Sequence, residues 1–108
     1  MVVVSYRSRE LADHCTRLEL AQDWLGPTEA QALVDMIADL EACRDAGEFM
    51  DLRGSRAVDE SSIRVDFSPK HFAILRLAID SVPRTQSGSP IWSKVRRLML
   101  TDVEAIRR

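Results

Sequence analysis

The chain has little of what most reactive centres are built from. Its 108 residues include two cysteines, two histidines and one tyrosine. Cys15 and Cys43 do not form a metal-site spacing, which removes the zinc-finger and zinc-ribbon classes. They are expected as buried thiols in a reducing cytoplasm. The one tyrosine, Tyr6, lies at the end of a β-branched run and is a poor candidate for chemistry. No apolar stretch approaches the roughly 18 residues a membrane-crossing helix needs, so no membrane contact is expected. Met1-Val2-Val3-Val4 is too short for a signal-peptide core and is soon followed by charges, so a cytoplasmic location is expected. The net charge of −2 argues against a uniformly basic nucleic-acid binder. Internal repeats and low-complexity tracts are also missing.

What is there points to one globular domain over residues 1–108. The hydrophobic content of 45% and charged content of 30% are ordinary for a folded domain. The small net charge hides an asymmetry. Residues 1–52 carry 4 Lys+Arg against 11 Asp+Glu, a balance of −7; residues 53–108 carry 11 against 6, a balance of +5. Such a split implies either an anionic partner for the second half or mutual neutralisation in the fold.

Taken in order, Val2-Val3-Val4 with Ser5-Tyr6 predicts a strand buried in a sheet. Ser8 is a good N-cap, and Leu11, Ala12, Cys15, Leu18, Ala21 and Leu25 then form a single helical stripe ended by Gly26. Pro27 opens a second helix with Ala30, Leu33, Val34, Ile37 and Leu40 on one face, and Gly47 is its natural C′ residue. So short a connection makes the helices an antiparallel hairpin. Gly47 to Glu60 is expected to be ordered loop. Ile63, Val65 and Phe67 alternate with Arg64, Asp66 and Ser68, the pattern of a half-buried strand. Ser68-Pro69-Lys70 is a turn. Phe72-Ala73-Ile74-Leu75, apolar on both faces, predicts a central strand covered on both sides; Arg76 and Asp80 interrupt it. Ser81 to Pro90 predicts a mobile surface loop, and Ile91 to Leu100 a long final strand. The expected fold is therefore α+β: a βααβββ order with a helical hairpin packed on one face of a mostly antiparallel four-stranded sheet. Acidic helices would lie on one side and a basic sheet face on the other.

These elements carry Ser8, Leu11 and Cys15, then Ala21 to Gly26 (AQDWLG), Ala32-Leu33 and Ile37 to Ala42 (IADLEA). Further on come Asp51-Leu52, Gly54, Ile63 to Phe67 with Ser68-Pro69, Ala73-Ile74-Leu75, Trp92 to Val95 and Leu98 to Glu104. In this order and spacing the chain resembles the RelE/HigB-like toxins of type II toxin–antitoxin systems, within the RelE/ParE superfamily. The resemblance implies a compact βααβββ domain that inhibits translation by ribosome-dependent mRNA cleavage and is blocked by a cognate antitoxin, expected to be a small helix-turn-helix protein. It implies no metal and no cofactor. A gyrase poison of the ParE kind and a toxin-like protein that only binds its antitoxin remain open alternatives. The family's chemistry needs a base for the ribose 2′-OH, an acid for the leaving oxygen and cations for the phosphorane. Three positions that carry it in many relatives fall here at Val58, at Phe72 and at Ile106-Arg107.

Among the residues themselves, His71 is the proton-transfer candidate, since an unperturbed imidazole titrates near neutrality. Arg56, Arg76, Lys94 and Arg96 are the candidates to hold RNA phosphate, which positions a nucleic acid without reading its sequence. On a continuous strand, Lys94 and Arg96 would point to the same side and Arg97 to the other. Arg64 and Asp66 could be a simple charge match. His14 is expected on the solvated surface, and Trp24 and Trp92 in the core or against a partner.

Overall fold

The computed structural model describes residues 1–79 and 81–107; Asp80 and Arg108 lie outside the described residues. The described residues form four α-helices, a 3-10 turn and a five-stranded sheet, so the α+β class holds while the strand count and pairing differ from expectation. The first strand, β1 (Val3–Tyr6), runs parallel to the last strand β5 (Arg97–Ala105). A parallel pair needs a long crossover, and the helices between them supply it. A two-residue strand β2 (Arg56–Ala57) is added beyond β3 (Ser62–Asp66), and β4 (His71–Leu77) sits between β3 and β5. The order is β1-β5-β4-β3-β2, with β1 at one edge. The sheet is mixed and five-stranded, which the sequence does not signal: β2 is too short to show any alternation, and parallel pairing of β1 leaves no mark on its own sequence.

The helices also depart from two simple stripes. Ser8 caps α1 (Arg9–Thr16), its Oγ accepting the Leu11 N–H at 3.1 Å. The expected continuous helix to Leu25 breaks at Arg17, whose backbone is extended (φ −111°, ψ 109°), and resumes as α2 (Leu18–Leu25). Thr16 donates its hydroxyl back to the Ala12 carbonyl at 2.7 Å, a local competition that weakens a helix end. The apolar spacing survives the break, and both Cys15 and Ala21 are buried. Gly26, at φ 86°, makes the turn that an L side chain would resist, and Pro27 opens α3 (Pro27–Ala42).

The stretch expected as loop from Gly47 begins instead inside a fourth helix, α4 (Ala46–Arg53). Asp45 caps it by accepting the Glu48 N–H at 2.8 Å, and Gly54 closes it in the left-handed region at φ 63°. Gly47 is therefore not a C′ residue. A Cβ there would come within 3.1 Å of the Ser93 backbone nitrogen, so glycine permits α4 to lie against the 3-10 turn Trp92–Lys94. That turn occupies the start of the expected long strand, which begins only at Arg97. The segment from Ser81 to Pro90 is a turn-rich surface connection, held by Arg84, whose guanidinium donates to the Glu60 and Gly88 carbonyls.

One sheet face packs on the helices. Ile63, Val65, Ala73, Leu75, Leu98 and Leu100 are fully buried there against Leu33, Met36, Leu40 and Phe49. The cross-strand partners place Arg64, Asp66, Phe72, Ile74, Arg76 and Met99 on the opposite, uncovered face. Phe72 and Ile74 are half-buried there, so β4 is covered on one side and not on both. Midway along β5 the register slips: Leu75 faces Leu100 but Ile74 faces Asp102. Thr101 is the extra residue of a β-bulge, its hydroxyl donating to the Ile74 carbonyl at 3.4 Å.

Phe49 tests α4 as part of the core. Full burial of such a side chain is worth roughly 1.5–3 kcal/mol, and truncation adds a cavity. Phe49→Ala should cost about 3–5 kcal/mol in urea unfolding, whereas Val58→Ala, at a position 49% exposed, should stay within about 0.5 kcal/mol. Similar small losses for both would remove α4 from the core.

Candidate functional site

The uncovered sheet face carries arginines on successive strands. Arg56 faces Arg64 across β2–β3, and Arg64 faces Ile74 and then Asp102 across β4 and β5. In the next row Asp66 faces Phe72, which faces Glu104. Arg64 leans diagonally, with its guanidinium carbon 3.8 Å from the centroid of the Phe72 ring. The Arg64 Nε donates to Asp66 Oδ1 at 2.8 Å, which holds the guanidinium over the ring.

Beyond Phe72 the chain closes a cleft. The Ile106 N–H donates to the Lys70 carbonyl at 2.8 Å, fixing the C-terminal segment beside the β3–β4 turn. The resulting cleft of about 420 Å³ is lined by Arg64, Phe72, Glu104, Ala105, Ile106 and Arg107. It therefore holds two cations, one carboxylate and one aromatic face. Glu104 and Arg107 are exposed, and neither has a side-chain ion pair among the described residues. The Thr101 bulge accounts for the carboxylate. Simple alternation from Leu98 and Leu100 would turn Asp102 and Glu104 toward the helices, and the extra residue returns both to the open face. Val103 is packed against the core instead.

A second, smaller pocket of about 80 Å³ adjoins the cleft through Arg64 and is lined by Arg53, Gly54, Ser55, Arg56 and Asp66 as well. Arg53 is tied to Asp39 of α3 at 2.6 Å.

The expected site residues do not come together. His71 lies on the helix-facing side of β4, next to Ala73 and Leu75 in the alternation, with its side chain 18% exposed. It does not line the cleft. Its ring stacks on Phe67 at a centroid distance of 6.0 Å, and Nδ1 lies 2.6 Å from Glu29 Oε1 on α3. The Ser68 hydroxyl donates to the same oxygen, while Ser68 Oγ accepts the Lys70 and His71 N–H groups at 3.1 and 3.0 Å. These bonds from Ser68 and then His71 hold the Glu29 carboxyl below its ordinary pKa. An ionised carboxylate only accepts, so the proton sits on His71 Nδ1. The group is a clasp between the turn and α3.

The expected phosphate ligands are spread out. Arg56 sits in the small pocket beside Arg64. Arg76 is exposed in mid-sheet, opposite Ser62 and Met99, and does not line the cleft. Lys94 belongs to the 3-10 turn and not to a strand, so the alternation argument for Lys94 and Arg96 does not apply. Both line a separate cleft of about 170 Å³ with Val82 and Pro83. His14 is half-buried at the surface: Nδ1 lies 2.7 Å from the Glu10 carbonyl and the ring meets Trp24 edge-on at 5.4 Å. Burial pushes the Tyr6 phenol and the Cys15 thiol up to about 12, so both are neutral near pH 7 and neither is an activated nucleophile. Among the described residues no cluster of three or more His, Cys, Asp or Glu could hold a metal, and no helix is long and apolar enough to cross a membrane.

The residues that sequence reasoning undervalued are Arg64, assigned only a charge match, and Glu104, which received no role. Comparison with protein-family models, with curated proteins and with solved structures gives no match.

The clasp makes a pH prediction. A carboxylate whose folded pKa is depressed stabilises the fold above its unfolded value, near 4.5, and that contribution disappears as pH falls through the lower folded value. Urea unfolding of the parent protein should therefore weaken more steeply below pH 5 than that of Glu29→Gln. Parallel stability curves for the two proteins between pH 5 and pH 3 would show that the clasp contributes nothing.

Proposed function

We propose that this protein is the toxin of a type II toxin–antitoxin pair that inhibits translation by binding and cleaving mRNA in the cleft on the open sheet face. One observation carries the reading. Phe72 and Ile106-Arg107, two of the three positions where the resembled toxins keep their chemistry, converge on one cleft together with Arg64 and Glu104, while the third, Val58, does not line it.

The geometry supports a redistribution of roles. The Arg64 guanidinium, seated on the Phe72 ring, is a planar group on which a base can stack, an interaction tolerant of sequence. Arg64 and Arg107 supply the positive charge that a pentacoordinate phosphorane requires. Glu104 is the carboxylate able to take the 2′-OH proton as that oxygen attacks the adjacent phosphorus. The P–O5′ bond breaks, leaving a 2′,3′-cyclic phosphate and a 5′-hydroxyl. Among the described residues no second proton-transfer group lines the cleft, so the leaving oxygen takes its proton from water. The expected turnover is correspondingly low, because a positioned acid contributes roughly 10²–10⁴-fold. The antitoxin would block the same open face.

A second reading, a toxin-like protein that binds RNA or its antitoxin without cleaving, is favoured by the apolar residues at all three of the family's positions, Val58, Phe72 and Ile106. Induced expression in bacterial cells, with mapping of mRNA 5′ ends, separates the two. Cleavage should appear with the parent chain, fall roughly 10²–10⁴-fold with Glu104→Gln, and persist with His71→Ala at a temperature where that variant is folded. Growth arrest without new mRNA ends would establish binding alone. DNA damage with intact mRNA would indicate gyrase as the target and defeat both readings.

A further inference from the structure

We infer that the small pocket between the end of α4 and strands β2 and β3 is a separate binding site for a phosphate group. Three arginines, Arg53, Arg56 and Arg64, line it together with one carboxylate, Asp66. The two paired arginines retain donors. Arg53 uses Nε and Nη2 on Asp39, which leaves Nη1. Arg64 uses Nε on Asp66, which leaves both terminal nitrogens. Arg56 has no side-chain hydrogen bond or ion pair recorded among the described residues, and it projects from a two-residue edge strand. The C-terminal end of α4 adds a partial negative charge, and the three guanidiniums outweigh it.

Ser55 supplies the second, independent observation. Ser55 lines this pocket, and its Oγ is buried with no hydrogen-bond partner among the described residues. The Ser55 N–H is already used on the Met50 carbonyl at 3.1 Å, and so is that of Gly54, so only the hydroxyl remains to be satisfied by a ligand. A buried hydroxyl is rarely left in this state. A volume of about 80 Å³ has room for a small polyatomic ion but not for a base or a sugar. It is far below the roughly 300–1,000 Å³ of sites that take larger ligands. Planar forks of N–H donors with one hydroxyl match the oxygens of a phosphate group. The group is either free phosphate or the terminal phosphate of an oligonucleotide whose next residue reaches Phe72. The latter link rests on the function proposed above; the pocket itself does not.

Isothermal titration of the whole chain tests the site with inorganic phosphate and with a short oligoribonucleotide, with and without a terminal phosphate. Phosphate should bind to the parent protein at millimolar concentration or tighter, and at least tenfold more weakly to Arg56→Glu and to Ser55→Ala. Lys94→Glu, the same charge change in a different cleft, should leave phosphate affinity unaltered. Ser55→Ala should also unfold at an equal or higher temperature in the absence of phosphate, because it removes an unsatisfied hydroxyl. If the phosphorylated oligonucleotide binds tighter than its unphosphorylated twin, the site takes a nucleotide end; if only inorganic phosphate responds, it takes the free ion. No phosphate binding, or equal weakening by Lys94→Glu, overturns the site. Phosphate binding in a protein that cleaves no mRNA would leave the pocket standing and defeat the nuclease, and cleavage without phosphate binding would do the reverse.

Discussion

The extra residue at Thr101 is the constraint on which the open face depends. β5 must present Leu98 and Leu100 to the helices, because both are fully buried in the core. A regular strand would then bury Asp102 and Glu104 as well, beside Ala73, at the cost of two desolvated carboxylates. The bulge resolves the conflict within one residue. Hydrophobic packing fixes the first half of the strand, and the second half delivers Glu104 beside Phe72. The same shift sends Val103 inward to the core. Stability and the cleft therefore use one strand without competing for its faces.

A second set of contacts sets where the cleft ends. The β3–β4 turn is held from below by the Ser68–Glu29–His71 clasp and receives the C-terminal segment through the Lys70 carbonyl. His71 thus positions the start of β4, and with it Phe72, while facing away from the cleft itself. The only imidazole in the basic half of the chain serves the scaffold, and the charges that face the open side are guanidiniums and carboxylates.

Much of the scaffold was legible. Ser8, Gly26 and Pro27 announce their caps and turn through specific chemistry, and the alternation of Ile63, Val65 and Phe67 with Arg64 and Asp66 gives the correct strand and its faces. What was hidden has physical causes. α4 is eight residues with only Ala46 and Phe49 fully buried, too little to outweigh the glycines around it. β2 has two residues. The break at Arg17 keeps the apolar spacing on both sides, so a stripe cannot reveal it. The bulge matters most: period-2 reasoning has no signal for an inserted residue, so Glu104 could not be assigned to the face it occupies. Likewise, the alternation that would set Lys94 and Arg96 on one strand face does not hold through the 3-10 turn Trp92–Lys94.

The central claim is that the open face, and not the helical side carrying His71, is the working surface. Amide chemical-shift mapping of the isotope-labelled protein with a short oligoribonucleotide tests it most directly. The account predicts that the perturbed amides cluster on Arg64, Phe72, Glu104, Ala105 and Arg107, with those of α1, α2 and α3 unmoved. Perturbations confined to the helices, or to Lys94, Arg96 and their separate cleft, would contradict it.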